Sequence, residues 1–198
     1  MLTVYTGPMF SGKTEALIRA VKRTRYSELP TQVFVPASDT RNGVGVVRSH
    51  AGLDLESLGI SAWAVDPSDA VSLAERVRPG TKIVAIDEAQ FFDASLIENV
   101  RVLLRRDLRV YVAGLDCDYR CEPFGPMPQI LALADEIFKL TAVCDLCGAD
   151  HARLTYRRSK ETAQVLLGAE DVYAPMCRVC YNAATRKLSH ADCAKNGP

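Results

Sequence analysis

An α/β fold, a doubly wound parallel sheet built around a P-loop with a small C-terminal zinc-binding domain, is predicted by three features of the sequence. Short β-prone runs alternate with helix-period stretches from the first residues onward, a Gly-bearing loop separates the first run from the first helix, and two C-x-x-C pairs stand late in the chain. Strands alternating with helices imply right-handed βαβ crossovers and hence a parallel sheet.

The elements follow in order. Residues 2–5 are short and β-prone, and the Gly-bearing loop comes next. Residues 15–25 place Ala16, Leu17, Ala20 and Val21 on one helical stripe, with Arg19, Lys22 and Arg23 elsewhere. Residues 32–35 read as a second strand, the polar, Gly-containing stretch 38–52 as a mobile loop, and residues 61–65 as a third strand. A helix is expected over 68–77, opening after Pro67 and closing before Pro79 and Gly80. Residues 82–86 have the apolar run of a strand buried on both faces. Residues 95–105 are helical and 108–115 form another strand. Near Cys144 the pattern gives way to a polar, weakly periodic stretch flanked by cysteines. The expected organisation is a nucleotide-binding domain over 1–143, a zinc-binding domain over 144–188 and a frayed tail over 189–198.

Composition narrows the class of protein. The chain has 198 residues, 48% hydrophobic and 24% charged, with 24 Lys+Arg balancing 24 Asp+Glu. That is ordinary globular composition. Its zero net charge argues against a dedicated nucleic-acid binder, which needs a basic excess to neutralise phosphates. No apolar run approaches the roughly 18 residues of a membrane span, and MLTVYTGPMF lacks the features of a signal peptide. The expectation is a cytoplasmic protein, whose seven cysteines are then likelier metal ligands than disulfides.

Gly7, Pro8, Met9, Phe10, Ser11, Gly12, Lys13 and Thr14 match G-x-x-x-x-G-K-[ST] in full, after a strand and before a helix. Glycine lets successive N–H groups turn towards phosphate oxygens, and the helix N-terminus adds partial positive charge. Lys13 would reach the β- and γ-phosphates of a nucleotide, and the Thr14 hydroxyl would ligate Mg²⁺. Asp87 and Glu88 end an apolar strand, at the carboxyl edge where open α/β sheets bind ligands. Asp87 fits a second Mg²⁺ anchor acting through water. Glu88 would either accept a proton from an attacking hydroxyl or orient a water for hydrolysis.

Cys144, Cys147, Cys177 and Cys180 form two C-x-x-C knuckles, which together complete a tetrahedron around a structural Zn²⁺. Their separation exceeds the about 15–20 residues of a simple zinc ribbon, which suggests a long loop closed at its base by metal. Two redox dithiols or four buried thiols are the alternative. Cys117, Cys121 and Cys193 lack a partner spacing and read as free thiols. His50, His151 and His190 are isolated and read as surface or core residues.

From about Leu2 to Tyr181 the chain resembles the thymidine kinase family that includes the cytosolic vertebrate and many bacterial enzymes. The resemblance rests on GPMFSGKT, IDEAQFF (86–92), EPFG (122–125), KLTAVCDLC (139–147) and CRVCY (177–181), in that order. It implies an ATP-dependent kinase that phosphorylates the 5′-hydroxyl of thymidine to dTMP, with deoxyuridine as a possible second substrate. It also implies a homotetramer and feedback inhibition by dTTP. Glu88 takes the place of the family's catalytic base. Asp39 falls on the Mg²⁺ side of the site, and Arg41 beside it would neutralise phosphate. Met9, Phe91, Leu115, Tyr119 and Phe124 match thymine-pocket positions. Thr155, Leu166, Gly168 and Tyr173 lie on a loop that closes over the nucleoside. Three departures stand out. Tyr119 replaces a common phenylalanine, so its hydroxyl needs a partner; Cys121 occupies a position often held by glycine, stiffening the turn; and residues 42–47 depart from the usual Tyr-Ser continuation. The competing class is a P-loop ATPase whose zinc module binds nucleic acid. Against it, Arg153, Arg157, Arg158, Lys160 and Arg178 are offset by Asp145, Asp150, Glu161, Glu170 and Asp171. Neither nucleic acid nor membrane is an expected partner.

Overall fold

The computed structural model describes residues 1–25, 29–38, 47, 55, 59–68, 73–159, 161–166 and 171–193. Six strands, β1 (Leu2–Thr6), β2 (Thr31–Pro36), β3 (Ala62–Val65), β4 (Ile83–Ile86), β5 (Arg109–Gly114) and β6 (Glu136–Lys139), form one sheet in the order β3-β2-β4-β5-β1-β6. Every pairing in it is parallel. The helices are α1 (Lys13–Arg25), α2 (Ser95–Arg105), α3 (Met127–Leu133) and α4 (Arg178–Cys193). A second, two-stranded antiparallel sheet pairs β7 (Leu154–Arg157) with β8 (Tyr173–Met176).

The alternation of side chains along a strand sorts the core into two layers. Leu2 and Val4 of β1, Phe34 of β2, Val84 and Ile86 of β4, and Val110 and Val112 of β5 pack with Leu96, Val100 and Leu103 of α2. The intervening Val33, Val35, Ala85 and Ala113 pack on the other side with Leu17, Ile18 and Val21 of α1. All four residues of β4 are buried, as its unbroken apolar run requires when both sheet faces are covered. The expected strands and the helices at 15–25 and 95–105 therefore stand.

Residues 73–76 form turns instead of the later part of the helix expected over 68–77; residues 69–72 lie outside the described residues. Side chains supply the hydrogen bonds that a helix would have made internally. Asn99 Oδ1 accepts from Ala74 N at 2.8 Å, and the Arg106 guanidinium donates to Ala74 O at 2.7 Å. Gln32 Oε1 accepts from Arg78 N at 2.6 Å. Sequence patterning also did not mark α3 or β6. The strand β6 is exposed throughout, with Ile137 and Phe138 about half exposed (49% and 47%), so it lacks a buried strand's signature. The proposed mobile loop over 38–52 falls almost wholly outside the described residues. Val47, within it, is buried against the α1 layer. At the other end, α4 continues to Cys193, into the stretch for which a frayed tail was expected.

Candidate active site

The phosphate loop leaves β1 and enters α1 through three left-handed residues, Gly7 (φ 143°), Phe10 (φ 64°) and Gly12 (φ 79°). At Gly7 a Cβ would lie 2.5 Å from the Leu140 carbonyl oxygen, so only glycine lets the loop pass the end of β6. Ser11 Oγ and Lys13 Nζ both donate to the Pro8 carbonyl, at 2.8 and 2.6 Å, which draws the loop into a compact turn above α1. Ala16 N donates to Gly12 O at 2.9 Å, starting the helix whose N-terminus faces the loop.

Thr14 Oγ1 donates to Asp87 Oδ1 at 3.3 Å. A hydroxyl from the P-loop and a carboxylate from the end of β4 thus meet at one point, the pair of oxygen donors that hard divalent cations take. Asp87 is buried, and burial, reinforced by the neighbouring Glu88 charge, pushes its carboxyl up to about 7 against the opposing hydrogen bonds of Glu88 N and Thr14. The Lys13 ammonium acts in the same direction as those hydrogen bonds, and positive charge there favours the anionic form of Asp87.

Glu88 adopts φ 50°, ψ 41°, a left-handed conformation uncommon for a non-glycine residue and found where a chain is held for a task. Its N–H donates to Asp87 Oδ1 at 2.9 Å. Gln90, in the short 3₁₀ turn Ala89–Phe91, donates from Nε2 to Glu88 Oε2 and accepts at Oε1 from Leu115 N at 2.9 Å. This buried amide ties the Glu88 carboxylate to the end of β5. Sequence reasoning missed Gln90, although it lies inside the IDEAQFF motif.

Beside Glu88 is an apolar cluster of Met9, Leu115, Phe124 and Tyr173, with Phe10, Phe91, Tyr119, Leu166 and Val172 packed against it. Phe91 and Phe124 meet edge to face at 5.8 Å. The cluster contains every nucleoside-pocket residue expected from the sequence except Thr155 and Gly168. Thr155 Oγ1 accepts from Met9 N at 3.0 Å, so β7 is fastened directly to the P-loop. Asp39, Arg41 and Gly168 lie outside the described residues. The Tyr119 hydroxyl finds its partners away from the apolar centre: it donates to Thr162 O at 3.1 Å and accepts from Arg120 Nε at 2.8 Å. Cys121 has φ 66°, which explains why glycine suits that position. The Asp118 carboxylate accepts from Arg120 N and Glu122 N at 2.8 and 3.1 Å, closing the turn around it.

The Sγ atoms of Cys144, Cys147, Cys177 and Cys180 lie within 4.8 Å of one another, and those of Cys147 and Cys177 are 3.8 Å apart. A tetrahedron with Zn–S bonds of about 2.3 Å has edges of about 3.8 Å, so the four thiols could form a zinc site. Burial acts to raise the Cys144 thiol, but backbone N–H groups of Cys177, Cys147 and Leu146 outweigh it and draw it down to about 6; that donor set favours a thiolate. The thiols of Cys177 and Cys147 push Cys180 up to about 12. Cys144 and Cys177 belong to a separate small core with Ala142, Ala152, Leu154, Met176 and Tyr181, and Cys180 packs against it, whereas Cys147 is exposed. Tyr181 OH donates to Tyr119 O at 2.7 Å, joining that core to the pocket. Cys117 and Cys121 are free thiols, and His151 is on the surface; His50 and the side chains of His190 and Cys193 lie outside the described residues.

Among the described residues no helix is long and apolar enough to cross a membrane. A sequence model of the thymidine kinase family matches residues 1–181. The thymidine kinase of Bacteroides thetaiotaomicron is 44% identical over 180 residues, covering 91% of this chain and 86% of the relative. That of Bacteroides fragilis is 42% identical over 186 residues, covering 94% and 89%. That of Mycoplasmoides gallisepticum is 39% identical over 195 residues, covering 96% and 84%.

Proposed function

The chain belongs to the thymidine kinase family, and from that premise we propose that it transfers the γ-phosphoryl group of ATP to the 5′-hydroxyl of thymidine, giving dTMP and ADP. The observation that carries the geometry is Met9. It is a phosphate-loop residue, yet its side chain packs with Leu115, Phe124 and Tyr173 and its N–H is held by Thr155. Phosphate site and apolar pocket therefore share a wall, and a nucleoside in the pocket has its 5′ end beside the P-loop.

Within residues 7–14, backbone N–H groups other than that of Met9, which Thr155 engages, and Pro8, which has none, hold the ATP phosphates together with the α1 N-terminus, with Lys13 as the charged clamp. Thr14 and Asp87, with Asp39 from the segment outside the described residues, would hold Mg²⁺, and Arg41 would add positive charge. When bound, that ion neutralises charge developing between the β- and γ-phosphates. Glu88, oriented by Gln90, takes the 5′-hydroxyl proton onto its carboxylate. Phosphoryl transfer is governed by positioning, so a modest base suffices. Phe91 and Phe124 flank the pyrimidine, and Thr155, Leu166, Gly168 and Tyr173 supply the covering side. The four cysteines would hold a structural Zn²⁺ that anchors both ends of that covering segment, whose closure excludes water from the reaction. We assign residues 1–143 to nucleotide binding and 144–188 to the zinc module. We also assign a cytoplasmic homotetramer inhibited by dTTP; the exposed Ile137 and Phe138 on the β6 edge are compatible with burial between subunits.

The test is ADP release with Mg²⁺·ATP in the presence of thymidine, deoxyuridine, deoxycytidine or single-stranded DNA. Stimulation by thymidine with dTMP formed in step is expected; stimulation by DNA alone would overturn the assignment in favour of an ATPase with a nucleic-acid module. Glu88→Gln should retain ATP binding and lose at least a hundredfold in kcat, within the usual range for removing a general base. Near-normal turnover would remove Glu88 from the chemistry.

A further inference from the structure

Arg157, at the end of β7, is 4% exposed, and among the described residues no carboxylate lies within ion-pair distance of it. A guanidinium in such a place is unfavourable unless its surroundings compensate. Here they do so with the covering segment itself. One terminal nitrogen donates to Glu161 O at 3.2 Å and also to Ala163 O. The other donates to Gln164 O and to the Tyr173 hydroxyl, each at 2.8 Å. The Tyr173 hydroxyl passes the chain on to Leu166 O at 2.9 Å. The guanidinium lies 3.7 Å above the Tyr119 ring and 5.2 Å from that of Tyr173. A planar, five-donor fork can satisfy several carbonyls and stack on aromatic faces at once, which an ammonium cannot.

We propose that Arg157 is a positioning residue for the nucleoside: its guanidinium latches segment 161–166 onto Tyr119 and Tyr173 and so sets the covering wall of the pocket. The proposal rests on the thymidine kinase reading above and extends it to a residue that the phosphate chemistry does not use. Two features support a functional part over a merely structural one. Its bonds run to carbonyls of a segment that is itself neither strand nor helix, and both stacked rings belong to the apolar cluster beside Glu88. Asp118 reinforces the latch by accepting from Gln164 Nε2 at 3.1 Å.

The experiment compares wild type, Arg157→Ala and Arg157→Lys in steady-state kinetics with thymidine and with ATP varied separately, alongside melting temperature and zinc content. Arg157→Ala should raise KM for thymidine at least tenfold and leave KM for ATP within twofold. Arg157→Lys should fall between them, because lysine restores the charge but not the fork. Ethylguanidinium added to Arg157→Ala should recover part of the thymidine affinity. A thymidine KM within twofold of wild type in Arg157→Ala overturns the proposal. So does a parallel loss of both KM values, zinc and melting temperature in both variants, which marks a structural role. Wild-type protein inert towards thymidine would instead overturn the underlying kinase reading, and this assignment with it.

Discussion

Gly125 closes the EPFG motif at φ 51°, and a Cβ there would lie 2.3 Å from the Gln90 carbonyl oxygen and 3.1 Å from its carbon. Gly125→Ala therefore does two things. The left-handed backbone disfavours alanine by about 1–2 kcal/mol. Restoring an ordinary contact of about 3.5 Å also requires roughly 1 Å of movement between two backbones that have no flexible side chain to yield. Overpacking of this kind costs about 1–3 kcal/mol. A combined loss of about 3 kcal/mol, at about 2–4 °C per kcal/mol for a chain of this size, lowers Tm by roughly 6–12 °C. The movement reaches Gln90, which holds Glu88 and Leu115 N, and Phe124, which stands edge-on to Phe91. Thymidine KM should rise and kcat fall while KM for ATP holds. Gly80→Ala is the control: φ is 87°, but nothing lies within 4 Å of its Cβ position, so only the backbone strain remains. Thermal denaturation with steady-state kinetics checks both variants. Gly125→Ala melting within 2 °C of wild type, with unchanged thymidine KM, would refute the reasoning.

Two further perturbations bear on the proposed metal sites. Burial raises the Asp87 carboxyl from 3.8 to about 7, so in nucleotide- and Mg²⁺-free protein its contribution to stability is fully present below about pH 4 and is lost as pH rises through 7. The Tm of wild type relative to Asp87→Asn should accordingly decline between pH 5 and pH 8 in the presence of a chelator; a flat difference would show that Asp87 is not desolvated in the folded protein. Cys177→Ser removes one of the four clustered thiols and should lower bound zinc, measured by mass spectrometry of the intact protein. It should weaken thymidine binding much more than binding of an ATP analogue, and equal losses would mean that the cluster supports the whole fold rather than the nucleoside side.

Local chemistry was enough to read much of this protein from its sequence. The P-loop needs glycine and a lysine at fixed spacing between strand and helix, so GPMFSGKT announces itself. The run IVAI, bounded by Asp87 and Glu88, specifies a strand buried on both faces with carboxylates at its end. Cysteine spacing alone paired the four thiols that the fold brings within 4.8 Å. The positions lining the apolar pocket were named only through family resemblance; no periodicity distinguishes Phe91 or Phe124 from ordinary core.

Tertiary structure decided what depends on partners distant in sequence. The turns at 73–76 replace a helix because Asn99 and Arg106, from another element, take over Ala74's hydrogen bonds. The exposed EIFK of β6 becomes a strand only because β1 offers it an edge. Gln90 and Arg157 look unexceptional in sequence, one a polar residue in a motif and the other a charge in a mixed surface run. Their roles exist only where Glu88 meets Leu115 and where loop carbonyls converge on a buried guanidinium. A strand's period or a metal ligand's spacing is written into neighbouring residues, whereas the satisfaction of a buried polar group depends on which segments the fold brings around it.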